Sequence, residues 1–121
     1  MKIALAQFEV SRGDPAANLA AIATWVAQAK AGGAEVCFLP EMCTTGFDWD
    51  RCRTLLPEAA VHRAAIAAFA TGNDIAICGS FLEQTESDRP ANALTYFART
   101  GAVAAHYRKV HLFTLFGEHK H

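Results

Sequence analysis

The sequence has almost no net charge and no long apolar run, and each absence excludes a class of protein. With 11 Lys and Arg residues against 12 Asp and Glu residues, the formal net charge is −1. The chain therefore lacks the basic surface of a protein that binds nucleic acid or an anionic membrane. No apolar run approaches the ~18–20 residues that span a bilayer, and residues 1–8 are too short an apolar stretch for a signal peptide. We expect a soluble, cytoplasmic protein.

The sequence also lacks the common cysteine and phosphate-binding motifs. Its cysteines form no CxxC pair and have no regular spacing, which favours free thiols over a disulfide framework in a chain without a secretion signal. Neither GxGxxG nor GxxxxGK[ST] occurs, so no phosphate loop is predicted. The cysteines are Cys37, Cys43, Cys52 and Cys78.

Histidine is the one residue type that could indicate a metal site. Four of the five histidines lie near the C-terminus, and the last two of them have a single residue between them. They straddle a strand and an irregular tail, and no HExxH or CxxC pattern fixes their geometry. We therefore predict no metal and no cofactor. These four residues are His106, His111, His119 and His121.

What the chain does contain is enough apolar sequence for a core. Its 121 residues, 52% of them hydrophobic, correspond to one domain or part of one. Asp14 as a cap, Pro15 and the stop at Gly32-Gly33 predict a helix over residues 15–31. A second helix is predicted over 58–71 and an irregular loop over 41–56. The predicted strands cover residues 2–8, 36–39, 75–81, 94–97 and 102–107.

This order, βαβαβ followed by meander strands, predicts an α/β fold with a mixed sheet and helices on one face. After residue 107 the sequence shows neither a closing helix nor a last strand. Nothing in the chain is left to bury the other face of the sheet. We therefore interpret residues 1–121 as an incomplete unit, either the first part of a longer enzyme or a chain completed by a partner.

Glu41 is the first candidate for chemistry. It follows Pro40 directly after a predicted buried strand, at the sheet edge where open α/β folds bind ligands. The apolar neighbours Leu39 and Met42 would desolvate its carboxylate and suit it to general-base catalysis. The alternative is an ordinary surface glutamate at a strand end, and position alone does not separate the two.

Lys109 is the second candidate. It follows the last predicted strand within an unusually aromatic segment, Tyr107 to Phe113. A buried ammonium group there would stabilise a developing oxyanion. The alternative is a strand-end lysine whose charged end reaches solvent. Because Glu41 and Lys109 each lie at the end of a core strand, we expect them to converge in one pocket.

Together these segments resemble the nitrilase (carbon–nitrogen hydrolase) superfamily, in the right order and over the whole chain. The matching residues are Leu39-Pro40-Glu41-Met42, Thr45-Gly46-Phe47, Gly79-Ser80 with Glu83, Asn92, Gly101, and Tyr107 to Phe113 with Glu118.

The resemblance implies the N-terminal portion of a four-layer α-β-β-α sandwich that uses a Glu–Lys–Cys triad. It assigns Glu41 as general base, Lys109 as the oxyanion-stabilising lysine, and Glu118 as a second glutamate that positions lysine and substrate. It also implies a homodimer or larger homo-oligomer. The family nucleophile falls beyond the lysine, and none of the four cysteines matches it. Cys43 precedes the lysine, and Cys52 lies in the predicted loop.

Within the superfamily, the segments 41–47, 111–113 and 117–121 are most similar to the bacterial ω-amidase-like branch. Its members hydrolyse the terminal amide of 2-oxo-dicarboxylic acid monoamides, and Phe47 falls where that branch places an aromatic residue near the substrate. Two alternatives stay open. One is a member of the same superfamily that acts on carbamoyl groups or nitriles, and the other is a non-catalytic truncated or interaction subunit.

Overall fold

A computed structural model describes residues 1–112 as a five-stranded sheet with helices. The strands are β1 (Ile3–Leu5), β2 (Val36–Phe38), β3 (Ala76–Gln84), β4 (Pro90–Phe97) and β5 (Val103–Arg108). The helices are α1 (Pro15–Ala31), α2 (Trp49–Leu55) and α3 (Ala59–Asn73), with a 3₁₀ turn at Leu56–Glu58. No helix in this part of the chain is long and apolar enough to cross a membrane.

The sheet is mixed, as predicted. Its strands lie in the order β1-β2-β3-β4-β5. The first two pairs are parallel and the last two antiparallel. Parallel neighbours need a crossover, which the helical segments between them supply, whereas antiparallel neighbours need only a short turn. Every connection therefore joins adjacent strands.

The capping residues of α1 account for its bounds, which match the prediction. The Asp14 carboxylate accepts a hydrogen bond from the Ala17 backbone N–H at 3.0 Å. Pro15 occupies the first turn, where no N–H is needed. At the other end the Gly32 N–H donates to Gln28 O, and Gly33 adopts a left-handed φ of 78° that favours glycine.

Several predicted bounds were wrong. Residues 41–56 are not all loop, because α2 forms within them and is capped by Asp48, which accepts from the Arg51 N–H at 3.1 Å. Cys52 consequently lies in a helix and is buried. The strand predicted over 2–8 is shorter, since β1 covers Ile3–Leu5 alone, while β3 continues to Gln84 and β4 begins at Pro90.

The two faces of the sheet differ. One packs against α1 and α3 in a core that includes Cys37, Ile77, Phe81 and Phe97, which confirms that these helices cover one face. The opposite face, which we call the open face, carries exposed apolar side chains. They are Ile3, Leu5, Phe38, Leu94 and Tyr107.

Candidate active site

Glu41 lies just beyond the carboxyl end of β2. The Leu39 N–H still donates to Cys78 O on β3 at 2.8 Å, so the chain leaves the sheet at Pro40. The position is the one predicted, but the burial is not, because the Glu41 side chain is 48% exposed. The side chain of Met42 is fully buried in a separate cluster with Trp49, and therefore does not desolvate the carboxylate.

The turn that carries Glu41 is held by Ser80 on β3. The Met42 N–H donates to Ser80 Oγ at 2.8 Å, and the Cys43 N–H donates to Ser80 O at 3.1 Å. Met42 has a left-handed φ of 50°, which costs about 1–3 kcal/mol in a non-glycine residue. The Gly46 N–H closes the turn on Met42 O at 2.7 Å. The surrounding hydrogen bonds thus enforce a strained backbone directly beside Glu41.

Lys109 reaches Glu41, as predicted. Its backbone N–H donates to Asn92 O at 2.9 Å, so the pairing of β4 and β5 extends one residue past Arg108. Its Nζ donates to Glu41 Oε1 at 2.8 Å although the two residues are 68 positions apart. The Lys109 side chain is 29% exposed, between the buried and the solvent-exposed alternatives considered from the sequence.

Asn92 completes the contact, and its role had not been predicted. Asn92 Nδ2 donates to Glu41 Oε1 at 2.7 Å, the same oxygen that Lys109 contacts. Among residues 1–112, no donor contacts Glu41 Oε2. The sequence analysis had included Asn92 among the residues that match the superfamily but had given it no role, and its position between Ala91 and Ala93 was the other signal. Both donors therefore hold the same oxygen of Glu41, Oε1.

A cavity of about 280 Å³ opens beside this pair and is lined by Leu39, Glu41, Ser80, Asn92, Leu94, Tyr107 and Lys109. Phe47 stands next to it, with its ring centroid 6.0 Å from Lys109 Nζ, a distance at which a ring face attracts a cation. A second cavity of about 300 Å³ lies between β1 and α1 and has no acidic residue in its lining. We therefore take the cavity that contains the ion pair as the candidate site.

None of the four cysteines is suited to be a nucleophile in this structure. All are buried, and burial raises the pKa of each thiol, that of Cys43 most strongly. The thiolate is the reactive form, so a buried thiol with a raised pKa is inert at neutral pH. Cys43 also directs its Sγ to Ser80 O at 3.5 Å, away from Glu41.

Several predicted residues lie elsewhere. Glu118, His119 and His121 fall outside the described residues. Within residues 1–112, no group of three or more histidine, cysteine or acidic side chains is arranged to hold a metal ion. His106 contacts the carboxylate of Glu83, at 2.6 Å.

The comparisons with known proteins point the same way. The carbon-nitrogen hydrolase family model matches residues 2–121. The chain is 32% identical over 120 residues to 2-oxoglutaramate amidase of Bacillus subtilis (strain 168), covering 97% of this chain and 45% of that protein. It thus spans less than half the length of this relative.

Solved structures agree on the fold. NitN amidase of Nesterenkonia sp. AN1 superposes with a TM-score of 0.87 at 25% identity, covering 93% of this chain and 45% of that one. A carbon-nitrogen hydrolase of Helicobacter pylori G27 gives a TM-score of 0.87 at 19% identity, with 98% and 42% covered, and supports the fold alone. With the match over residues 2–121 and the carboxylate–ammonium pair at the strand ends, this chain belongs to the carbon-nitrogen hydrolase family.

Proposed function

We propose that this chain supplies the acid–base and oxyanion-stabilising groups of an amidase that hydrolyses the amide of a small carboxylic acid. The observation that carries the proposal is the 2.8 Å contact between Glu41 Oε1 and Lys109 Nζ at the mouth of a cavity. A carboxylate and an ammonium group held together in this way divide the two roles that amide hydrolysis needs, proton transfer and stabilisation of negative charge.

The proposed reaction proceeds through a thioester. A cysteine thiol, which is not one of the four in residues 1–121, gives its proton to Glu41 and attacks the amide carbon. Lys109 stabilises the oxyanion of the tetrahedral intermediate, and ammonia leaves with the proton that Glu41 returns. A water molecule, deprotonated by Glu41, then hydrolyses the thioester and releases the carboxylic acid. These groups supply every proton and charge that the reaction needs, so the proposal requires no cofactor.

The proposed substrate class is a 2-oxo-dicarboxylic acid monoamide. It is supported by the 32% identity to 2-oxoglutaramate amidase and by the aromatic ring of Phe47 beside Lys109. A variant of the Nesterenkonia amidase has been solved in complex with butyramide, and a simple aliphatic amide is therefore the second substrate to compare. We propose that Glu118 positions Lys109 and the substrate, and that the protein acts in the cytoplasm as a homo-oligomer.

An ammonia-coupled assay on the complete protein tests this function. We expect ammonia from 2-oxoglutaramate, slower release from butyramide, and none from an N-carbamoyl amino acid or a nitrile. Glu41→Gln keeps the shape and one oxygen that can accept from Asn92 and Lys109, but it cannot accept the proton, so turnover should fall by about three orders of magnitude or more.

The control is Glu35→Gln, because Glu35 is an exposed glutamate at the far end of β2, and its removal should leave turnover within twofold. Hydrolysis of butyramide but not 2-oxoglutaramate would overturn the substrate class alone. Release of ammonia from carbamoyl compounds or nitriles would favour the alternative members of the family. No turnover with any of these compounds would favour the non-catalytic alternative.

A further inference from the structure

A second cluster of charged side chains surrounds Glu83, on the face of the sheet opposite Glu41. The Glu83 side chain is only 8% exposed, and three basic side chains contact its carboxylate. Arg108 Nε donates to Oε1, while Arg63 and His106 approach Oε2. The cluster thus connects β3 to α3 through Arg63, and β3 to β5 through His106 and Arg108.

The contacts between Glu83 and the side chains of β5 pass over β4, which lies between the two strands. Glu83 lies opposite Ala91 in the ladder, and Ala93 lies opposite Arg108. Ala91 and Ala93 are small enough to let the side chains of β5 pass over them and reach Glu83. Long side chains at these two positions would fill the path. The cluster therefore spans three strands at one level of the sheet.

Burial opposes ionisation of Glu83, but the hydrogen bonds from Arg108 and His106 and the charge of Arg63 outweigh it and lower the pKa of this carboxyl. Glu83 is consequently a charged anchor at neutral pH. Buried ionic groups are weak evidence for stability, and their best-attested use is to fix one register among alternatives.

The register of β5 needs such an anchor. All six residues of β5 are exposed within residues 1–112, so burial does not assign its two faces. The turn between β4 and β5 is closed by the Ala98 N–H, which donates to Ala102 O at 2.8 Å, and sets the pairing of Phe97 with Val103. The register then shifts between Tyr96 and Phe97, so the turn does not by itself align the part of the ladder that leads to Lys109. Strands without a buried face slip readily, and a slip of one residue exchanges the faces of every side chain.

The consequence falls on Lys109. Successive residues of a strand point to opposite faces, so the contact of Arg108 with Glu83 directs Lys109 to the face that carries Glu41. We propose that Glu83 is a positioning residue for Lys109: its bonds to Arg108 and His106 set the register that brings Nζ to Glu41 Oε1. This inference rests on the proposed function only for its effect on rate.

The activity test uses the complete protein and three variants. Glu83→Gln removes the negative charge that the three basic side chains contact. Arg108→Ala removes one contact between Glu83 and β5, and because the Arg108 side chain is 49% exposed, we expect this variant to fold. Because displacement of a catalytic group by about 1 Å costs on the order of 100-fold, we expect kcat to fall about 10- to 100-fold in both, with KM within about threefold. Arg63→Ala is the matched control, since Arg63 contacts the same carboxylate from α3, and kcat should change less than about threefold.

Amide hydrogen exchange supplies a readout that does not depend on activity. The Lys109 N–H is bonded to Asn92 O in the described register. In Glu83→Gln and Arg108→Ala its protection should fall at least tenfold relative to that of Ile77 in β3, and in Arg63→Ala it should not. Equal losses of kcat in all three variants, or unchanged protection of Lys109 in Arg108→Ala, would overturn the proposal. If the unaltered protein hydrolyses no amide, the proposed function fails and the exchange result alone decides the role of Glu83.

Discussion

Glu41 uses one carboxylate oxygen for two contacts of different kinds. Lys109 brings a charged, flexible donor to Oε1, and Asn92 brings a neutral amide whose strand position is fixed. Two donors on one oxygen restrict rotation of the carboxylate and so restrict the orientation of Oε2. Asn92 and Lys109 thus both hold Glu41 Oε1.

We predict that Asn92→Ala lowers kcat/KM of the complete protein about 10- to 100-fold. A hydrogen bond to a charged group contributes about 1.5–3 kcal/mol, and 1.36 kcal/mol corresponds to a factor of about ten in rate. Asn92→Asp should be worse, because a second carboxylate would face Glu41. Steady-state kinetics with thermal unfolding of each variant provide the measurement. A kcat/KM within twofold of the unaltered protein for Asn92→Ala would show that the amide does not orient the base.

At the scale of elements, the sequence predicted what local rules control. Asp14, Pro15 and the Gly32-Gly33 stop set the bounds of α1, and these were confirmed. α2 was missed although Asp48 caps it and buried apolar residues recur at Trp49, Cys52 and Leu55. A helix of seven residues is too short for its periodicity to stand out from a loop.

The far end of β3 shows a different limit of sequence reasoning. The strand was predicted to end at residue 81, yet β3 continues through Glu83 to Gln84. Glu83 is buried because Arg63, His106 and Arg108 arrive from three distant places in the chain. Such contacts are tertiary, and no local pattern predicts them. The contact of Glu41 with Lys109 was predicted because both residues follow predicted strands, although β5, which precedes Lys109, is exposed.

The turn after β2 depends on the hydrogen bond that the Met42 N–H donates to Ser80 Oγ. Ser80→Ala removes the acceptor for the buried Met42 N–H, and we expect it to destabilise the protein by about 1–3 kcal/mol. Because the left-handed Met42 then loses a restraint, Glu41 should also be displaced and kcat should fall.

Asp14→Ala is the control: loss of the α1 cap costs about 1 kcal/mol but leaves the site intact. Urea unfolding and ammonia release measure the two effects. Equal kcat in both variants would show that Ser80 supports the fold without orienting Glu41.

At the scale of the whole molecule, residues 1–112 build a sheet that is covered on one face. α1 and α3 bury the first face, while the open face exposes Ile3, Leu5, Phe38, Leu94 and Tyr107. Glu41 and Lys109 lie on the side of the open face, beside Leu94 and Tyr107 in the cavity lining. Within residues 1–112, no helix or strand covers these side chains. Large exposed apolar side chains on one face are typical of a site of association.

Our last prediction compares the 121-residue chain with the complete protein. The complete protein should sediment as one homo-oligomer of dimer size or larger and release ammonia. The 121-residue chain alone should self-associate or aggregate through its open face. Without the nucleophilic thiolate it should show no measurable turnover, because removing one member of a catalytic triad costs several orders of magnitude. Sedimentation velocity and the ammonia assay on both proteins provide the test.

A compact, well-behaved monomer of the 121-residue chain would contradict the association. Turnover by that chain that disappears in Cys43→Ala would identify Cys43 as the nucleophile, and turnover that survives the substitution would require a mechanism other than the proposed thioester.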